Sequence, residues 1–162
     1  MSDRARDDPR SLVGRLYDTY GASLYRYAVL LLGDPAAAED AVHQVFATIL
    51  RRPPRFDDES HYLRRAVRNE CYSHLRRRKR QSDVFAGALL EPLVEGVAPE
   101  ERIALERAIR GLSLEHREVI YWHVFEGLTF QEIADAAEES INTVAGRYRY
   151  ALAKLRQVLG ET

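Results

Sequence analysis

The 162-residue chain contains one cysteine, one methionine and one tryptophan. A single cysteine, Cys71, excludes an internal disulfide framework and any zinc module built on paired cysteines. No apolar run approaches the roughly 18 residues that a bilayer-spanning helix needs, so no membrane insertion is expected. The opening stretch MSDRARDDPR is charged and lacks the apolar centre of a signal peptide. Together these absences predict a cytoplasmic protein. Equally missing are a glycine-rich phosphate loop and any stretch that alternates apolar and polar residues as strands do. The histidines His43, His61, His74, His116 and His123 form no recognised metal-ligand spacing. Cys71 falls on an apolar helix face, and Asp57, Asp58 and Glu59 read as a solvated loop. No catalytic residue, metal site or cofactor is expected, and the chain is not read as an enzyme.

What is present is charge, unevenly spread. The net charge is −1, yet residues 61–80 hold 8 basic and 1 acidic side chain, residues 81–139 hold 4 and 13, and residues 140–160 hold 4 and none. Two basic segments thus flank an acidic middle. Basic segments attract polyanions because each neutralised phosphate releases condensed counterions, and the acidic middle is expected to hold back DNA binding by the protein alone.

Apolar residues recur at helical spacing, which predicts an all-α chain of two small helical domains (10–80 and 100–160) joined by a flexible linker (81–99) rich in glycine, proline and acid. The first domain reads as three helices. One runs from Leu12 to Leu32 and stops at Gly33. Asp34 caps the next, with Pro35 in its first turn. Val42, Val45, Phe46, Ile49 and Leu50 make an apolar stripe along it, and Asp40, His43 and Gln44 face away. Pro53 and Pro54 end it. Ser60 is predicted to cap a third helix, His61 to Arg80. A helical wheel puts Leu63, Val67, Cys71 and Leu75 on one side of that helix, and Tyr62, Arg65, Asn69, Tyr72 and Arg76 on the other, with Arg68 at the flank. Two readings of the second face stand: a solvated basic surface with boundary tyrosines, or a platform for single-stranded nucleic acid, whose bases stack on rings while cations hold the backbone.

The second domain reads as helices from Glu100 to Gly111 and from Leu114 to Glu126, the latter capped by Ser113, and then a tighter pair. Thr129 and Glu132 form a capping box for a helix from Phe130 to Ala137. Ser140 caps the last helix, whose seam is Ile141, Val144, Tyr148, Ala151, Leu155 and Val158. Asn142, Thr143, Gly146 and Arg149 face outward, with Arg147 and Lys154 at one edge. A short helix, a tight turn and a longer basic helix make a helix-turn-helix pattern, whose second helix enters the major groove. Polar residues in its first turns reach base edges and the following cations hold phosphates. Gly146 costs about 1 kcal/mol of helix propensity relative to alanine, a cost that close approach to another backbone offsets.

Two separated stretches, LYDTYGASLYRYAVLLLGDPAAAEDAVHQVF with HYLRRAVRNECYSHLRRRKR, and LSLEHREVIYWHVFEGLTFQEIADAAEESINTVAGRYRYALAKLRQVL, resemble regions two and four of bacterial RNA polymerase sigma factors. The short chain resembles the extracytoplasmic-function class (group IV). The resemblance implies a sigma factor that binds core RNA polymerase and directs promoter recognition and transcription initiation. It implies that Asp40, His43 and Gln44 contact the β′ clamp helices, where the family usually has an amide then an acid at the last two positions. It implies that the loop from Phe56 to Glu59 receives a flipped base of the minus-ten element, beside Asn69, and that Tyr62 stands where tryptophan is common. Arg65, Tyr72 and Arg76 join them on that face, and the basic end through Arg80 suits backbone phosphates. Asn142, Thr143, Gly146, Arg147, Arg149 and Lys154 fall on the helix that reads the duplex minus-thirty-five element, with Ala145 where lysine is frequent and Glu138-Glu139 replacing a Gly-apolar turn. The implied partners are core polymerase (β′ clamp helices and β flap), promoter DNA and an anti-sigma factor. The linker is expected in the RNA-exit path. Two alternatives remain at this point. One is a stand-alone helix-turn-helix regulator with an N-terminal dimerisation or sensing domain. The other is a degenerate sigma-like protein that docks without initiating.

Overall fold

The structure, a computed structural model, describes residues 8–78 and 96–160. Most of the expected linker, and the basic residues Lys79 and Arg80, lie outside the described residues. Within them there are helices and no strands: α1 (Pro9–Leu32), α2 (Pro35–Arg51), α3 (Glu59–Arg78), α4 (Pro99–Arg110), α5 (Leu114–Ile120), a π-helical turn (Tyr121–Phe125), α6 (Phe130–Ala137) and α7 (Ile141–Val158).

Local chemistry sets most of these bounds. Gly33 takes a left-handed conformation (φ 68°) that closes α1, and the Asp34 carboxylate accepts from the Ala36 N–H at 3.0 Å ahead of Pro35. Thr129 and Glu132 form the reciprocal capping box, and the Ser140 hydroxyl accepts from the Thr143 N–H at 3.1 Å. The start of α3 differs from expectation. Asp58, not Ser60, is the cap: its Oδ1 accepts from the His61 N–H at 3.0 Å, and the Ser60 hydroxyl donates to the same oxygen. A carboxylate here also complements the helix dipole, which a hydroxyl does not. The single helix expected over residues 114–126 becomes one α turn-pair followed by the π turn. Tyr121 and Trp122, which open that turn, are both buried (1% and 0% exposed).

Helices α1, α2 and α3 pack on one another, and α4, α5 and α6 pack around α7. Leu16, Leu31, Ile49, Leu63, Val67 and Cys71 are sealed in the first group; Ile133, Val144 and Ala151 are sealed in the second. The seam of α7 is shorter than its spacing suggested. Ile141 and Val158, the first and last residues of α7, are exposed. The two groups are not independent. Helix α1 packs on α5 and α3 packs on α6, so one apolar core runs through both.

Candidate nucleic-acid interface

Three surfaces result from this packing. On α2, burial of Val42, Val45, Phe46 and Ile49 turns Asp40, His43 and Gln44 together into solvent. Exposed carboxylate, imidazole and amide on one helical face give a hydrogen-bonding surface with little apolar content. His43 lies 3.9 Å from Glu39 one turn earlier.

The second surface is a groove of about 430 Å³ between the loop after α2 and the first half of α3. Phe56 and Tyr62 meet edge to face at 5.1 Å, and Arg65 and Asn69 complete the wall. The groove is positioned by the Asp58 cap, whose carboxyl is held below its usual pKa by the His61 N–H and then by the Ser60 hydroxyl. Paired rings and an exposed amide around one opening can stack on and hydrogen-bond with a single planar base, while the guanidinium can pair with a backbone phosphate. Arg55 and His61 also line it, and the sequence reading did not single them out. Their place just before and after the Asp58 cap was the available signal.

The rest of the expected α3 face does not lie open. Arg64 donates to Glu126 at 3.2 Å, Arg65 pairs with Glu138, and Arg68 donates to Glu118 at 2.9 Å. Arg68 also sits over the Tyr72 ring, 4.5 Å from its centroid. Tyr72 is half-buried, with its hydroxyl buried. Glu118 is wholly buried. The Tyr27 hydroxyl donates to its Oε2 at 2.6 Å, and the Tyr27 ring stacks in parallel on Trp122 at 5.0 Å. Burial lifts the Glu118 carboxyl above its ordinary pKa, against the attraction of Arg68 and the Tyr27 hydrogen bond. Of the predicted face, Asn69 and Arg76 remain exposed.

The third surface is α7. Asn142 and Arg149 are exposed; Thr143, Gly146, Arg147 and Lys154 are half-buried. Thr143 shares its hydroxyl with Ser140 at 2.8 Å. Arg147 donates to Glu139 at 3.2 Å, and Lys154 donates to the Gly111 carbonyl at 2.8 Å. Lys154 thus meets the end of α4 as well as the outer edge expected for it. A side chain on Gly146 would meet nothing within 4 Å, so internal packing does not call for glycine there. Glu138 turns the chain between α6 and α7 in a left-handed conformation (φ 56°), a position that favours glycine. Cys71 is sealed in the core, its thiol pushed up to about 12, first by burial and then by Glu70 and Glu118.

Residues 16–81 match the family Sigma-70 region 2, and residues 108–157 match Sigma-70, region 4. The chain is 31% identical over 161 residues to the ECF RNA polymerase sigma factor SigL of Mycobacterium tuberculosis (strain H37Rv), covering 93% of this chain and 90% of that one. It is 29% identical over 169 residues to the ECF sigma factor BldN of Streptomyces coelicolor, covering 96% of this chain and 64% of BldN. Its fold is similar to that of the sigma factor RpoE from Bartonella quintana, solved in complex with the anti-sigma factor NepR. The TM-score is 0.78 at 21% identity, over 91% of this chain and 96% of that one. The chain belongs to the ECF sigma factors of RNA polymerase.

Proposed function

We propose that this protein gives core RNA polymerase its promoter specificity through three surfaces used in sequence. The Asp40, His43 and Gln44 face of α2 docks on the β′ clamp helices, and the second helical group meets the β flap. Asn142, Thr143, Gly146, Arg147 and Arg149 read the minus-thirty-five element as duplex, with Lys154 at the phosphate edge. The groove formed by Phe56, Tyr62, Arg65 and Asn69 takes an unpaired base of the minus-ten element, with Tyr72 and Arg76 further along the strand. Extruding one base costs a few kcal/mol, which ring contact and hydrogen bonding return. The work is non-covalent and takes place in the cytoplasm. An anti-sigma factor is the expected partner that withholds the protein from polymerase.

The observation that carries this reading is the Phe56–Tyr62 groove beside exposed Asn69, on the same chain as a helix-turn-helix. A dimerisation or sensing domain has no use for such a groove, so a stand-alone regulator is not favoured. The test is run-off transcription with purified bacterial core polymerase on genomic fragments that the reconstituted holoenzyme enriches. Defined transcripts should arise only when chain and core are combined. Tight duplex binding by a dimer of the chain alone, with no transcript, would overturn the reading.

A further inference from the structure

Tyr150 lies on the outward side of α7 and is 55% exposed, yet its ring is held in place. It stacks on the His116 imidazole from the first turn of α5, with ring centroids 4.6 Å apart and planes 25° from parallel. His116 is fixed in turn. The Ser113 hydroxyl that caps α5 accepts from the His116 N–H and lies 2.7 Å from its Nδ1. Because α5 packs on α7, the imidazole stands on a helix of the same core. An exposed side chain that is ordered before its partner arrives loses less entropy on binding. Gly146, Tyr150 and Lys154 are spaced four apart and so line one edge of α7. A Cβ on Gly146 would meet nothing within 4 Å, so the helix is cut back one turn before the phenol. Lys154, one turn after it, is tied to the Gly111 carbonyl at 2.8 Å. The proposed minus-thirty-five set contains neither Tyr150 nor His116.

We propose that Tyr150 is a further DNA-contacting residue of α7, its phenol donating to a backbone phosphate of the minus-thirty-five duplex beside Gly146, and that His116 is its positioning residue. The inference rests on the sigma-factor reading for the identity of the duplex. Position favours a phosphate over a base edge. Base edges are reached from the first turns of a recognition helix, here Asn142 and Thr143. Tyr150 comes about two turns later, on the edge that also carries Lys154. Chemistry agrees with position. A hydroxyl donating to an anionic oxygen makes a stronger hydrogen bond than a neutral pair, and such contacts fix the register of a protein on the duplex. Being uncharged, the phenol does this without neutralising a phosphate and releasing a counterion, as a lysine or arginine would. The part of His116 is its ring. Without the stack, Tyr150 would have to be ordered by the DNA itself.

The test measures binding of reconstituted holoenzyme to a labelled duplex. The duplex is cut from a promoter fragment that the holoenzyme enriches and ends upstream of the minus-ten element, so that only paired DNA is read. Tyr150→Phe removes one exposed oxygen and keeps the stack. It should weaken binding on the order of tenfold, the size of one hydrogen bond to a charged group, and leave the salt slope unchanged. Arg149→Ala should lower that slope by about one. When phosphates are replaced singly by uncharged methylphosphonate, the difference between wild type and Tyr150→Phe should vanish at one position and persist at the others. His116→Ala should weaken binding about threefold, the order of one side chain left to be ordered on binding, and His116→Phe should restore it. In the Tyr150→Phe background, His116→Ala should cost less than it does in wild type, which a purely structural role would not give. Equal binding by wild type and Tyr150→Phe, or a difference that persists at every methylphosphonate position, would overturn the contact. Additive losses, or no rescue by His116→Phe, would remove His116 as its positioning residue. A wild-type holoenzyme that enriches no fragment would overturn the sigma-factor reading and the contact with it, whereas promoter binding that ignores Tyr150→Phe overturns the contact alone.

Discussion

Gly146 is the residue at which structure and function pull apart most cleanly. It sits within an 18-residue helix, it has no positive φ, and a methyl there has open space. Alanine should therefore stabilise the free protein by about 1 kcal/mol, seen as a higher melting temperature, while weakening binding of holoenzyme to minus-thirty-five duplex. A variant that is more stable and binds equally well would show that no backbone approaches α7 at this point. Other residues could be read less well. The outward set Asn142, Thr143 and Arg149 followed from spacing alone, because a helix that buries Val144, Ala151 and Leu155 must turn those positions away. Lys154 and Arg147 did not, since their partners Gly111 and Glu139 belong to other segments. Glu118 was legible only as an oddity: it follows Leu114 and precedes Tyr121 and Phe125 at helical spacing, an acid in an apolar stripe, and such an acid needs a buried partner that no local pattern names.

At the scale of elements, the helix starts were legible because caps are local. Asp34-Pro35, Ser113, Thr129 with Glu132, and Ser140 each satisfy backbone donors within three residues, and all act as read. The α3 start was misplaced because Asp58 and Ser60 are both capping residues two positions apart, and charge decides between them. Asp58→Ala should cost about 1 kcal/mol of stability and loosen the Phe56–Tyr62 groove, whereas Ser60→Ala should cost less. Chemical denaturation of the two variants checks this, and an equal loss from both would return the cap to Ser60. The π turn had no signal in the spacing, because a one-residue bulge is driven by what it buries. Here it buries the Trp122 ring against Tyr27 from α1.

At the scale of the molecule, the docking of the two helical groups was the feature the sequence reading did not contain. Charge arithmetic anticipated that an acidic middle would oppose the basic flanks, but not that Glu118, Glu126 and Glu138 would seat on Arg68, Arg64 and Arg65. Contacts between residues some 50 to 103 positions apart leave no periodic trace. This docking has a pH signature. Burial holds the Glu118 carboxyl above its ordinary pKa, so its contribution to stability is fully present below the ordinary carboxyl range and is lost as pH rises through the raised value. Asp58 and Glu59, whose pKa values are lowered, act with the opposite sign and only at lower pH. Chemical denaturation against pH should show that decline in wild type and not in Glu118→Gln; parallel curves would remove Glu118 as the titrating group.

The claim on which the rest depends is that one chain reads paired DNA at one end of a promoter and captures an unpaired strand at the other, and only on polymerase. Combined hydroxyl-radical and permanganate footprinting of a single promoter fragment measures both at once. With chain and core polymerase together, the upstream duplex should be protected and downstream thymines should become permanganate-reactive; Asn69→Ala should keep the protection and lose much of the reactivity. Protection by the chain alone, or full reactivity in Asn69→Ala, would contradict the account.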